Sequence, residues 1–142
     1  MKFFNTSRLN KKQLRSAICQ FALSLGVSKV VFNNNGKKVN GTYNGKTHVL
    51  YLNAKQTNIS LLRTFFHELG HHVAVQQNKW KNYHLCLVKT IRIETMFYIE
   101  NKIDQIGQKL WYKHVDIKQW GMYKYIYPKI NKSYFLKTFT NN

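Results

Sequence analysis

The sequence predicts a single domain of the α+β class. Three segments repeat their apolar residues at helical spacing, and two apolar segments rich in strand-forming residues lie between the first and the second. The chain has 142 residues, of which 44% are hydrophobic, and this suffices for one modest core. We expect one domain over 1–142, with its core at about 11–110 and a basic, aromatic segment at 111–142.

The first helix is predicted over 11–25. Its apolar positions recur every three or four residues, at Leu14, Ile18, Phe21 and Leu25. Asn10 and Gln13 have the spacing of a capping box at the N-terminus, and Gly26 offers a stop at the other end.

Two strands are predicted at 27–33, "VSKVVFN", and at 47–53, "THVLYLN". Between them stand three Asn-Gly pairs, each a turn signal, at 35–36, 40–41 and 44–45. The stretch "KVNGTY" at 38–43 is a candidate for a short, turn-interrupted strand.

Two further helices follow. Asn58 is expected to cap a helix that starts at Ile59 and ends near Asn78. Its apolar stripe consists of Leu62, Phe66, Leu69 and Val73. After the loop "KWKNYHL", a long helix is predicted over 86–110, with an apolar stripe of Met96, Ile99, Ile103, Ile106 and Leu110.

The second helix carries an H-E-x-x-H motif, His67-Glu68-Leu69-Gly70-His71. Residues four apart share one helix face, so His67 and His71 can bind a single zinc ion. Glu68 is then placed as the general base for a metal-activated water. His72 points about 100° away from His71 and is expected to support the ligands or to lie at the surface.

Catalytic zinc needs a third protein ligand. Glu100 and Asp104 share a face of the long helix, so Glu100 is the preferred ligand and Asp104 can accept an N–H bond from a ligand histidine. Gly107 on the same face would allow a close approach of the two helices. His84 in the loop and Glu94, 240° around the helix from Glu100, are less favoured metal ligands. The alternatives are surface histidines and a solvated acidic helix edge.

The residues His67-Glu68-x-x-His71 and Glu100-x-x-x-Asp104 resemble the gluzincin-type zinc metallopeptidases. The stretches "TFFHELGHH" and "IENKIDQIGQKL" are most similar to the small ImmA/IrrE-like metallopeptidases of phages and mobile elements, and the resemblance covers about 47–110. It implies a zincin-like fold, with a small twisted sheet packed on the metal-binding helix and a second long helix. It also implies that the strand 47–53 lies at the cleft edge and holds an extended peptide.

These residues predict a zinc metalloendopeptidase, a hydrolase whose partner is a protein or peptide substrate. Glu68 takes the proton of the attacking water and delivers it to the leaving amine. A further donor is expected to stabilise the oxyanion. The candidates for that donor are Tyr83, His84, Tyr112 and His114.

The charge balance supports an alternative function. The chain has 23 Lys and Arg against 5 Asp and Glu, a net charge of +18, which attracts polyanions such as nucleic acid. Codon bias in an AT-rich genome would produce the same excess of lysine. From 111 to 142 there are nine aromatic residues and six lysines, a mixture suited to base stacking and phosphate contact. A nucleic-acid-binding protein, with or without protease activity, is therefore the alternative.

The cysteines and the N-terminal residues indicate the cellular compartment in which the protein is expected. Cys19 and Cys86 are far apart and form no CxxC pair, so buried free thiols are expected. No apolar run approaches the roughly 20 residues of a membrane span, and no apolar block follows the charged N-terminus. We expect a cytoplasmic protein with no membrane partner.

Overall fold

The computed structural model describes residues 2–33, 39–77 and 89–120, with 89–97 as helix backbone alone. Three helices and a three-stranded mixed sheet confirm the α+β class. The elements in chain order are α1 (Lys11–Ser24), β1 (Lys29–Asn33), β2 (Gly41–Asn44), β3 (Val49–Asn53), α2 (Asn58–Gln76) and α3 (Lys89–His114).

Helix α1 begins and ends as its sequence predicts. The Asn10 side chain accepts a bond from the Gln13 amide at 2.9 Å, and the Gln13 side chain accepts one from the Asn10 amide at 3.0 Å. This reciprocal pair satisfies two amides that the first helical turn leaves unpaired. Gly26 follows with φ +88, a left-handed conformation that glycine adopts without strain.

The sheet order is β1-β3-β2, which corrects the expectation for the strand 47–53. β3 pairs with β1 in parallel and with β2 in antiparallel fashion, so it is the central strand and not the cleft edge. The reason is that the strand expected within 38–43 forms at Gly41–Asn44, and it folds back onto β3 through the turn after Asn44. Among the described strands, β2 is therefore the edge strand on this side.

Helix α2 has a different cap from the predicted one. The Thr57 hydroxyl accepts a bond from the Ser60 amide at 3.3 Å, whereas Asn58 is the first helical residue. The prediction of Asn58 was wrong by one position because Thr57 already provides a short side chain with an acceptor oxygen in extended geometry. The predicted end near Asn78 agrees with the observed end at Gln76.

Helix α3, described from Lys89, ends at His114, four residues beyond the predicted range 86–110. The N-terminal segment packs against the end of α3 and the residues that follow it. Phe4 forms a parallel bridge with Val115, and the Lys2 ammonium donates to the Tyr112 carbonyl at 2.6 Å. The buried core thus extends beyond 11–110. It includes Phe4, Trp111, Val115 and Trp120, each no more than 5% exposed.

Helices α2 and α3 approach each other at two glycines. A Cβ atom on Gly107 would lie 2.7 Å from the Phe66 carbonyl oxygen, and one on Gly70 would lie 2.6 Å from the Ile103 carbonyl oxygen. No larger residue fits at this distance without moving a backbone. The close approach predicted at Gly107 is confirmed, and Gly70 is its counterpart on α2.

In the described ranges, none of the helices α1 to α3 combines the length and the apolar character needed to cross a membrane. The zincin-like character of the fold remains a prediction.

Candidate metal centre

Helix α2 brings His67, Glu68 and His71 together in a group that could hold a metal ion. Their ligand atoms all lie within 4.8 Å of one another, and the two imidazole centroids are 5.3 Å apart. His67 and Glu68 are buried, and His71 is partly exposed. The motif therefore forms a site that opens to solvent on one side.

Glu100 of α3 reaches the same two histidines. Its Oε2 lies 3.1 Å from His67 Nε2, and its Oε1 lies 3.2 Å from His71 Nε2. Ligands that bind zinc at about 2.0–2.1 Å in a tetrahedron are separated from one another by about 3.3 Å. Each histidine Nε2 thus lies at about this spacing from a Glu100 oxygen. Glu68 is the other carboxylate nearby, but Glu100 is the one in direct contact with both Nε2 atoms.

Asp104 lies on the opposite side of the His67 ring. Its Oδ1 is 3.2 Å from His67 Nδ1, and both side chains are buried. A proton held on Nδ1 by this contact leaves Nε2 to face Glu100 and His71. The face of α3 that carries Glu100 and Asp104 therefore meets α2 as the sequence predicted.

The site shifts the pKa values of His67, Glu68 and Glu100 in the metal-free protein. Burial lowers the pKa of His67, but hydrogen bonds to Asp104 and Glu100 outweigh it and raise the value to about 9. Burial raises the pKa of Glu100, but its contacts with His67 and His71 prevail and lower the value to about 2. His67 and Glu100 thus form an ion pair when no metal is bound.

Glu68 has the opposite environment to Glu100. Burial raises its pKa, and the nearby imidazoles of His71 and His67 only partly counteract this. A carboxyl group whose pKa is moved toward neutrality is better suited to exchange a proton than to act as a permanently ionised ligand.

Two predicted oxyanion donors do not reach the site. Tyr112 and His114 follow Glu100 by 12 and 14 residues on α3, about 18 and 21 Å at a rise of ~1.5 Å per residue. Tyr112 is exposed, and the His114 ring packs on Phe21 with centroids 4.7 Å apart. Neither candidate therefore lies beside His67, Glu68 and His71, because α3 carries both residues away from Glu100.

Three other candidates lie outside what the structure describes. Tyr83 and His84 fall between the described ranges. Glu94 belongs to α3, but its side chain is not described. Their proposed roles stay predictions.

His72 belongs to a separate polar network. It is 1% exposed, its Nε2–H donates to the Leu25 carbonyl at 2.8 Å, and its Nδ1 accepts from the Tyr43 hydroxyl at 2.6 Å. The Tyr43 oxygen also contacts His48 Nδ1 at 2.8 Å. His72 is thus neither a surface residue nor a contact of the ligands, since it ties β2 and the end of α1 to α2.

Sequence reasoning missed Trp120, whose indole Nε1–H donates to Asp104 Oδ2 at 3.2 Å. Trp120 follows the end of α3, outside the motif-bearing range 47–110. Its distance from Asp104 in the sequence does not indicate a contact, and its burial, at 5% exposure, depends on the tertiary structure.

Cys19 is a half-buried free thiol whose pKa is raised by burial, as expected for a structural cysteine. Cys86 lies outside the described residues.

The acidic residues are unevenly distributed over the fold. Glu68, Glu100 and Asp104 converge on the site, and Asp116 is the exposed carboxylate of the described residues. Trp111 and Trp120 are 0% and 5% exposed, so neither ring is available to stack on a base.

Comparisons with protein-family models, with curated proteins and with solved structures found no match.

Proposed function

We propose that the protein is a zinc-dependent metallopeptidase in which His67, His71 and Glu100 hold the metal. The observation that carries the proposal is the Glu100 carboxylate, which contacts the Nε2 atoms of both motif histidines from a different helix. Two imidazole nitrogens and one carboxylate form a donor set typical of catalytic zinc, whereas magnesium and calcium prefer oxygen ligands throughout.

The protein's own residues supply the remaining chemistry. When bound there, zinc provides Lewis-acid activation of water and of the scissile carbonyl. Glu68, buried beside the ligands, accepts the proton of the attacking water and transfers it to the leaving amine nitrogen. Asp104 holds His67 with Nε2 directed at the site.

The edge of β2 that has no strand partner among the described residues is the proposed binding place for an extended substrate. β2 runs alongside α2: a Cβ on Gly41 would meet Thr64, and one on Gly45 would contact Val75. Between Thr64 and Val75 lies the helical turn that carries Glu68 and His71. A peptide paired with β2 would therefore lie next to the proposed base. We assign to β2 the peptide-binding role expected for 47–53, since β3 has strand partners on both sides.

The decisive test is the zinc content of purified, tag-free protein after dialysis against a weak chelator. We expect about one zinc per chain, measured by mass-spectrometric metal analysis. Glu100→Ala is expected to weaken zinc binding far more than Glu94→Ala in a competition titration. No zinc uptake by the unaltered chain would refute the proposal, and equal affinities of the two variants would refute Glu100 as ligand.

Polyanion binding, with nucleic acid as the ligand, is a second candidate function. It is favoured by the distribution of charge, because three of the five acidic residues converge on the proposed metal site and the exposed charged residues in the described ranges are mostly basic. We expect DNA affinity to fall steeply as salt rises from about 50 to 200 mM. No binding at the lower salt concentration would remove this candidate.

A further inference from the structure

We propose that Trp120 is a positioning residue for the metal ligand His67 and acts through Asp104. This inference rests on the proposed zinc site. It extends that site to a residue beyond the end of α3, outside the range 47–110 that carries the family resemblance.

The Asp104 carboxylate lies between two N–H donors. Its Oδ1 accepts from His67 Nδ1 and its Oδ2 accepts from Trp120 Nε1, both at 3.2 Å. All three residues are buried, with exposures of 5–9%. Because each oxygen has its own donor, the carboxylate cannot rotate about its Cβ–Cγ bond without losing one of the two bonds.

The indole is held by the core and not by the metal site. The Trp120 and Trp111 rings pack edge to face with centroids 5.3 Å apart, and Trp111 in turn packs on Phe66. The Trp111 Nε1–H donates to the Ile117 carbonyl at 2.7 Å, which fixes the chain between α3 and Trp120. Trp120 therefore holds the Asp104 carboxylate in place, and Asp104 in turn orients the His67 imidazole.

Loss of the indole N–H would leave Asp104 Oδ2 buried without this donor. The carboxylate could then turn away from His67 Nδ1, and the imidazole would lose its fixed orientation. Zinc binding should weaken without being abolished, because His71 and Glu100 do not depend on this contact.

The test compares Trp120→Phe with Phe21→Leu. Both substitutions replace a buried aromatic side chain of the core by a smaller one, but Phe21 lies on α1, where its ring packs on Phe4 and His114. In a competition titration with a chromophoric chelator, Trp120→Phe should weaken zinc binding about 10-fold, at the lower end of the effect of removing an outer hydrogen-bond partner. Phe21→Leu should bind as the unaltered chain does. Equal zinc affinities of Trp120→Phe and the unaltered chain, or an equal loss in both variants, would overturn the inference.

A double-mutant cycle separates positioning from general loss of packing. In an Asp104→Ala background, Trp120→Phe should cause no further loss of zinc affinity, because the residue through which it acts is gone. Additive losses would show that Trp120 does not act through Asp104. Failure of the unaltered chain to bind zinc would instead overturn the proposed function itself.

A second measurement does not require Trp120→Phe to fold. In protein labelled with ¹⁵N-tryptophan, the indole resonances are assigned by elimination with Trp80→Phe and Trp111→Phe. The Trp120 resonance should move in Asp104→Ala and on addition of zinc to the unaltered chain. A resonance that moves in neither case would contradict the proposed contact.

Discussion

Glu68 and Glu100 are carboxyl groups of one site with opposite electrostatic environments. Burial raises the pKa of Glu68, whereas the contacts of Glu100 with two imidazoles overcome its burial and hold its pKa at about 2. A carboxylate that stays ionised is suited to bind a cation, and one whose pKa is raised is suited to exchange a proton. The two environments support different roles for the two residues.

Glu68→Gln should abolish peptide hydrolysis but leave zinc binding intact. The amide keeps the size of the side chain and cannot accept the proton of the attacking water. We expect a loss of at least about 100-fold in the turnover of a confirmed peptide substrate. Turnover is measured by peptide mass spectrometry, with the zinc content of the variant as control. A variant that cleaves the substrate as fast as the unaltered chain does would exclude Glu68 as the proposed base.

The metal-free protein should lose stability as pH rises from 6.5 to 9. The folded pKa of His67 lies above its ordinary value of 6.5, at about 9, so its contribution is fully present below 6.5 and is lost as pH rises through 9. That difference corresponds to about 3 kcal/mol. The contribution of Glu100, whose pKa is lowered, is present above 4.5 and is lost as pH falls through about 2.

This pH dependence is checked by urea unfolding of chelator-treated protein across pH 4–9. His67→Gln serves as the control, because it removes the titrating imidazole. We expect its free energy of unfolding to vary much less between pH 6.5 and 9. An equally large decrease in this variant would assign the effect to other groups.

At the scale of elements, the α2–α3 crossing determines whether the site forms. Gly70 and Gly107 let the helix backbones approach closely enough for Glu100 and Asp104 to reach His67. The ligands themselves lie on separate helices, so their spacing depends on this contact and not on either helix alone.

Gly107→Ala should destabilise the fold and weaken zinc binding together. Alanine favours a helix over glycine by about 1 kcal/mol, but the new Cβ would lie 2.7 Å from the Phe66 carbonyl oxygen. Overpacking costs about 1–3 kcal/mol, and a contact this short with a backbone oxygen lies in the upper part of that range, so we expect a net loss of about 1–2 kcal/mol in the free energy of unfolding.

Gly45→Ala is the matched control for this crossing. Its new Cβ would lie 3.5 Å from a Val75 methyl, an ordinary contact, so stability and zinc affinity should stay close to those of the unaltered chain. Both variants are compared by urea unfolding and zinc titration. A Gly107→Ala variant as stable as Gly45→Ala would mean that the helices can separate without loss.

At the scale of the whole molecule, the N-terminal segment joins the two ends of the described chain. Phe4 is fully buried among the rings of Phe21, Phe65 and Phe66, and its backbone pairs with Val115. The Thr6 amide and hydroxyl both donate to the Asp116 carboxylate, at 3.0 and 2.9 Å. This segment therefore supports the chain that leads to Trp120.

Phe4→Ala should lower the free energy of unfolding by about 3–5 kcal/mol, the typical effect of removing a buried phenyl ring. Phe3→Ala is the control, because Phe3 is 47% exposed, although its ring contacts those of Phe4 and Phe21. We expect about 1 kcal/mol for that variant. Urea unfolding measures both, and losses of equal size would show that Phe4 does not occupy a core position.

The local sequence determined the helices and the motif face. Helical periodicity and the Asn10–Gln13 capping box define α1, and the four-residue spacing places His67 with His71 and Glu100 with Asp104 on shared faces. These features were predictable because each depends on backbone geometry over one or two helical turns.

Only the tertiary structure decided which elements meet. Three contacts join residues far apart in the chain. β2 pairs with the side of β3 opposite β1, Trp120 contacts Asp104, and Phe4 is part of the core. Such contacts depend on the packing of whole elements, and no short-range spacing in the sequence encodes them. For the same reason, the sequence could nominate Glu100 as a ligand, but only the approach of α3 to α2 brings its carboxylate to both histidines.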